Sequence, residues 1–392
     1  MTEIAKLLDE YGELYASDEN RRRAACWTRL NEGIRWENQW HGLPAYTVDS
    51  GRPMPVTVEC LDAVWEDILG LDQGKYFTDP ECYLEFYLKM RIEKFKRLPD
   101  DTPLTLDIPL VFGVTHEAGM LGQEIFFNRG EEPTFARVSI VDEDTSFPKD
   151  FDFAKNEYLQ MVVPFYRRLK ELAGSDFRVI FPQWYRAPQG VALYIRGFQE
   201  FSLDLYVNEI FARRVLRYAT DAAKAFALWR QDFTCEPITR GDLFNDDIPL
   251  MSPEMYSKYF LEYEKELSDF YGGIFYWHSC GDTTSHIGAI HGLPDIDLLD
   301  FGVTMEDKGE GLKNLVREQA VELRVRAQKY VQQCSEEESK EYVRRILESC
   351  REYSVSSYVL RSSGMSIVHG AEKDLQMLAR WIDLIREVQE ER

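Results

Sequence analysis

Residues 273–303, GIFYWHSCGDTTSHIGAIHGLPDIDLLDFGV, decide how the chain is read. GIFYWHSC (273–280) and IDLLDFGV (296–303) are short, continuous apolar runs. Such runs suit strands covered on both faces, as in a parallel sheet. Between them lies a polar, glycine-containing loop followed by a helical piece. That is the rhythm of a strand–helix–strand unit.

The same rhythm extends outward. Apolar runs recur at LTLDIPLVFGV (104–114), FRVIFPQWY (177–185), VALYIRG (191–197), AFALWRQDF (225–233) and VSSYVLRSS (355–363). Helical segments separate them. NEYLQMVVPFYRRLKELAG (156–174) ends in a plausible stop at Gly174. NEIFARRVLRYATDAAKAF (208–226) keeps the helical period. SPEMYSKYFLEYEKELSDFYGG (252–273) opens with Ser252 as a cap, Pro253 in the first turn and Glu254 at the positive end. Seven candidate strands alternating with helices define an α/β protein. No G-x-G-x-x-G follows a strand, so the open dinucleotide-binding sheet lacks its signature. The span of the pattern, ~290 residues against the ~250 typical of the fold, favours a (β/α)8 TIM barrel. Residues 1–95 read as a mostly helical N-terminal extension packed on the barrel of residues 96–392.

Bulk properties exclude several function classes. The 392-residue chain carries a formal charge of -22. Such a surface lacks the cations needed to displace counterions from nucleic acid, and it disfavours anionic membranes. A small-molecule substrate or a protein partner is the better match. The N-terminal MTEIAKLLDEYGELY is an amphipathic helix with acids among its apolar residues, unlike a signal peptide. Seven cysteines without a CxxC pair read as reduced thiols in a cytoplasmic protein.

Within the opening stretch, HSCGD sits at the C-terminal end of a strand, the catalytic face of a barrel. His278 and Cys280 are two apart and leave the same face of an extended segment. Such a pair can supply two of the ligands of a zinc ion. A buried cysteine is also a common small apolar filler, so the pair alone leaves both readings open. Other polar residues near strand ends are His116 and Glu117, Tyr185 and Arg186, and Asp246 and Asp247. Trp184, Tyr185, Tyr276 and Trp277 offer either core packing or an apolar box for a ring or a quaternary ammonium.

LFNDDIPLMSPEMYSKYFLEYEKEL (243–267), the opening stretch, and APQGVALYIRGFQEFSLDLYVNEIFARRVLRYATD (187–221) together resemble the uroporphyrinogen decarboxylase superfamily. The resemblance implies a (β/α)8 barrel and one of two activities. One is metal-free decarboxylation of a tetrapyrrole or another carboxylated molecule. The other is methyl transfer involving a corrinoid (cobalamin) carried by a small partner protein, usually with zinc. The decarboxylases carry an arginine-containing N-terminal signature that TRLNEGIRWENQW (28–40) does not match. The His-x-Cys-Gly element is typical of the methyltransferases. The wording around it is closest to demethylases acting on aryl methyl ethers or on methylamine- or betaine-type compounds. The implied activity is removal of a methyl group from a small methylated substrate and its delivery to Co(I) of the corrinoid protein.

In thiol-methylating members a third zinc ligand is a cysteine after the last strand. Here YVLRSSGMSIVHGAEKDL (358–375) has none, and Cys350 lies too early. Either the metal is absent or a carboxylate completes the set, with Asp246, Asp247, Glu262 and Glu264 as candidates; Glu264 joins His278 and Cys280 as the expected metal group. The expected catalytic residues are His278, Asp247 and His116. Glu117, Tyr185, Arg186, Trp277 and Asp246 are the expected substrate contacts. A catalytically inactive ligand-binding barrel is the alternative of another class, and a homodimer is left open.

Overall fold

The computed structural model describes residues 2–30, 41–128, 132–136, 138–148, 150–302, 309–315 and 319–391. Most of the 28–40 stretch therefore lies outside the described residues. The chain forms two compact, interleaved units. One comprises residues 1–111, 168–180 and 303–392, the other residues 112–167 and 181–302.

In the first unit, β1 (Val56–Cys60), β2 (Asp107–Pro109), β3 (Arg178–Ile180), β7 (Ala320–Arg326) and β8 (Tyr358–Met365) are strands. β8 lies parallel to both β1 and β7, and β2 is parallel to β3. In the second unit, β4 (Gly241–Phe244), β5 (Ile274–His278) and β6 (Ile296–Asp300) form a parallel run with β5 central. Residues 185–187 run alongside β4, where Phe244 N donates to Tyr185 O and Ala187 N to Phe244 O.

Several sequence expectations need correction. Residues 191–197 are not a strand but part of helix α1 (Pro188–Arg196), buried on nearly every side. An apolar run cannot separate a buried helix from a buried strand. Residues 225–233 continue helix α2 (Glu209–Thr234), whose buried positions keep the helical spacing through Phe226 to Arg230. The 252–273 helix is two, α3 (Pro253–Tyr259) and α4 (Leu261–Tyr271), broken at Phe260. Its start is as read: the Ser252 side chain accepts from Met255 N at 3.2 Å.

Three of the parallel strands named above escaped the pattern. β1 lies where helix and irregular chain were expected; β4 and β7 contain Asp242, Glu322 and Arg324, which interrupt an apolar run. All three are buried, Arg324 donates to Ser363 Oγ at 2.7 Å, and Glu322 is ion-paired. Arg361 on β8 binds Glu59 at 2.7 Å and Glu322 at 2.8 Å, and His41 lies 2.9 Å from Glu322. Removing one member of such a buried group costs roughly 3–5 kcal/mol, because it strands a charge.

The second unit's core is aromatic. Trp229 and Phe233 stack at 5.1 Å, and Phe181 meets Phe233 edge-on at 5.1 Å. His116 lies within this core rather than at the strand-end site, against Tyr158 and Phe226. No helix among the described residues is long and apolar enough to cross a membrane. None of the seven cysteines, all of them among the described residues, forms a disulfide.

Candidate active site

The parallel register of β4, β5 and β6 sets Phe244, His278 and Asp300 side by side at the strand ends. Side chains at paired positions share a face, so Asp300 is brought against the imidazole of His278. His278 Nδ1 lies 2.6 Å from Asp300 Oδ2, and Asp300 also accepts from Tyr276 O–H at 3.0 Å and Gly302 N–H at 2.9 Å. This leaves Nε2 facing the opposite way, 3.3 Å from Cys280 Sγ and 3.4 Å from Asp246 Oδ1.

The loop after β4 supplies Asp246. Its Oδ1 accepts the Cys280 N–H at 2.8 Å, and its Oδ2 takes Arg186 Nη1 at 2.7 Å. Arg186 is in turn fixed from behind by Glu117, fully buried, whose Oε1 accepts the N–H groups of Tyr185 at 2.8 Å and Arg186 at 3.0 Å. The Asp246, His278 and Cys280 donor atoms all lie within 4.8 Å of one another.

The electrostatics follow from these contacts. Burial opposes the charge of Asp246, yet Arg186 foremost, then His278 and the Cys280 N–H, hold its carboxyl well below the usual range. Burial would likewise discharge His278, but Cys280, Asp246 and Asp300 overturn this and raise its pKa well above the ordinary value. Asp247 is pushed up, first by burial; Arg186, 3.9 Å away, counters this and the charge of Asp246 adds to it.

The loop carrying Cys280 is held by close backbone approach. A Cβ on Gly302 would fall 1.6 Å from Gly281 O, and Gly302 has φ +92°. A Cβ on Gly281 would meet Pro249 at 2.5 Å. Both positions therefore demand glycine.

The fold thus brings together His278, Cys280, Asp246 and Arg186, with Asp247 and Glu117 beside Arg186. It does not bring Glu264 to them. Strand alternation turns Trp277 to the opposite face from His278, where its indole donates to Glu264 at 3.3 Å. Glu264 is therefore one layer behind the donors, and Asp246 stands where the third donor was expected. Tyr185 is buried with its hydroxyl on Gly113 O at 2.8 Å. It forms an edge-to-face aromatic chain with Phe244 and Tyr276 beside His278. Trp184 is turned away, toward Phe226. Asp300 escaped the sequence reading, although the acid closing IDLLD at a strand end was a usable signal.

The donor set suits zinc. It combines thiolate, imidazole and carboxylate. The observed 3.3 and 3.4 Å separations match the roughly 3.3–3.8 Å between ligands of a tetrahedral ion. A carboxylate behind the ligating histidine is the usual support. Cys280 is exposed, leaving an approach for a further ligand.

Parallel strands alternating with helices, and polar groups converging at the ends of consecutive strands, define an α/β protein built on barrel principles. The family model for uroporphyrinogen decarboxylase (URO-D) matches residues 101–387, and the chain belongs to that family, whose fold is the (β/α)8 barrel. Among solved structures it is similar to a methyltransferase from Methanosarcina mazei. The TM-score is 0.58 at 13% identity, over 94% of this chain and 97% of that one. No curated protein matches the sequence.

Proposed function

We propose that the chain is a corrinoid-dependent methyltransferase, which removes a methyl group from a small methylated substrate and passes it to Co(I) on a corrinoid carrier protein. The observation that carries this reading is the convergence of Asp246, His278 and Cys280 at two adjacent strand ends. These three would hold a zinc ion, which supplies Lewis-acid neutralisation of the oxygen or nitrogen the methyl group leaves.

The remaining work belongs to this chain's own residues. Asp300 keeps the His278 proton on Nδ1, so that the Nε2 lone pair faces the donor set. Arg186 keeps Asp246 ionised, and Glu117 keeps Arg186 in place. Phe244, Tyr185 and Tyr276 exclude water behind His278, which strengthens every charge interaction in front of it. Asp247, released from ligand duty by Asp246, orients the substrate. Methyl transfer from an ether oxygen or a neutral amine leaves an anion behind, so a site that neutralises it lowers the barrier.

The metal-free decarboxylase reading has one observation of its own. Without an ion, His278 between two carboxylates is an imidazolium acid able to deliver a proton.

Metal analysis of purified protein separates the two. The methyltransferase reading expects one zinc per chain, lost in His278→Ala, Cys280→Ala and Asp246→Ala. It also expects a spectral change of cob(I)alamin with an aryl methyl ether or methylated amine, abolished by the same substitutions. Absence of zinc together with unchanged behaviour of all three variants refutes it.

A further inference from the structure

Glu264 lies on α4 with no exposed surface. Donors from four separate elements meet its carboxylate. Tyr256 O–H of α3 donates at 2.7 Å, Gln189 Nε2 of α1 at 3.0 Å and Trp277 Nε1 of β5 at 3.3 Å. With the Asn245 amide turned so that both its ends are satisfied, its nitrogen donates to Glu264 at 2.9 Å and its oxygen accepts from Trp277 at 2.9 Å. The Asn245 backbone N–H is also bonded to His278 O at 2.7 Å.

Two of these partners are chain neighbours of proposed metal donors: Asn245 precedes Asp246, and Trp277 precedes His278. A buried carboxylate is costly unless its lone pairs are filled, and this one is filled by the groups that fix where the two strand ends stop. We infer that Glu264 is a positioning residue that sets the spacing of Asp246 and His278 by clamping Asn245 and Trp277 from the layer behind. It touches no proposed ligand, so it acts only through those two neighbours. The inference uses the zinc reading for one arm of its test and the bare geometry for the other.

The groups facing Glu264 are Tyr256, Trp277, Gln189 and Asn245, none of them charged. Burial lifts the carboxyl to about 7 against the pull of Tyr256, Trp277 and Asn245. Gln189 Oε1 has no hydrogen-bond partner among the described residues. A glutamine at 264 keeps an oxygen for the tyrosine and indole donors, and its N–H finds an acceptor once the Gln189 amide turns to set Oε1 where Nε2 now stands, 3.0 Å away.

The test uses Glu264→Leu and Glu264→Gln. In metal-free protein, alkylation of Cys280 by iodoacetamide is followed by mass spectrometry against exposed Cys235 as the internal reference. Cys280 Sγ lies 3.3 Å from His278 Nε2, so a displaced strand end changes the surroundings of the thiol and with them its rate. The expected result is a roughly tenfold change in the Cys280-to-Cys235 rate ratio in the leucine variant and recovery to within about threefold of wild type in the glutamine variant. Zinc affinity by chelator competition falls about 10–100-fold in the leucine variant and recovers likewise. A folded leucine variant with the wild-type Cys280-to-Cys235 ratio overturns the inference. If the leucine variant does not fold, Tyr256→Phe and Trp277→Phe each remove one clamp bond; wild-type Cys280 reactivity in both overturns it equally. Wild-type protein that binds no zinc refutes the proposed function, while the alkylation arm still decides on Glu264.

Discussion

Asp300→Asn tests the reasoning at its most constrained point. Both carboxylate oxygens accept from N–H groups: Oδ1 from Gly302 at 2.9 Å, Oδ2 from His278 Nδ1 at 2.6 Å. An asparagine must turn its NH2 against one of them. Facing Gly302, it leaves a buried backbone N–H unpaired, at about 1–3 kcal/mol. Facing His278, it forces the imidazole proton onto Nε2, where the lone pair is needed for the metal. Loss of a carboxylate behind a ligating histidine costs about 10–100-fold in metal affinity. That is roughly 1.4–2.7 kcal/mol. Zinc affinity is read by competition with a chromophoric chelator, and stability by denaturant unfolding of the zinc-free protein. The expected outcome is a loss in one or both, summing to at least about 1 kcal/mol. Wild-type affinity together with a wild-type midpoint would refute the claim that Asp300 orients His278.

Gly302→Ala places a Cβ 1.6 Å from Gly281 O at φ +92°, so it should destabilise the protein by more than the roughly 1–3 kcal/mol of the backbone conformation alone. Gly288→Ala, with nothing within 4 Å, should stay within about 0.5 kcal/mol in the same melt. His116, lowered by burial and then by Arg230 to about 3, stays neutral in the fold while the unfolded chain protonates below 6.5. Stability should therefore fall as pH drops from about 6.5 towards 3, by roughly 2–3 kcal/mol at pH 4.5, and His116→Phe should flatten that part of a urea-midpoint profile. Parallel profiles for the two proteins would overturn this assignment. Arg186→Leu removes the cation from a buried pair and should lower stability by about 3–5 kcal/mol near neutral pH, with Asp246→Asn in the same chain restoring part of it. An unchanged unfolding midpoint in Arg186→Leu would show that Asp246 needs no countercharge.

Legibility in the sequence followed locality. IFYWH and IDLLD could be read as strands because each is apolar without interruption, and His278 and Cys280 could be paired because they share one strand end. Ser252 and Pro253 announced their helix for the same reason. The residues 241–244 and 320–326 hid as strands because Asp242, Glu322 and Arg324 are buried despite their charge, the last two against partners distant in the chain. Residues 191–197 looked like a strand because a helix covered on most sides carries no polar stripe, and 225–233 because the apolar Leu228 lies exposed on its helix. The third donor had to be chosen between carboxylates on a loop and on a helix. That choice rests on register: His278 and Trp277 point to opposite faces, and the helix acid belongs to the face of Trp277. No spacing rule reports which face a helix meets.

Asp246 and Cys280 are 34 positions apart, and Asp300 follows 22 positions after His278. Glu117, Arg186 and Gly302, which support them, also precede residue 303. Nothing identified at this centre is borrowed from the last strand or the last helices. The donor set is therefore inherited as one continuous cassette of sequence. Recombination or drift in the final ninety or so residues leaves the proposed donor set unaltered, whereas in a relation that recruits its last ligand from the closing strand the same change would erase it. A lineage built this way can rewrite its C-terminal quarter while keeping one chemistry.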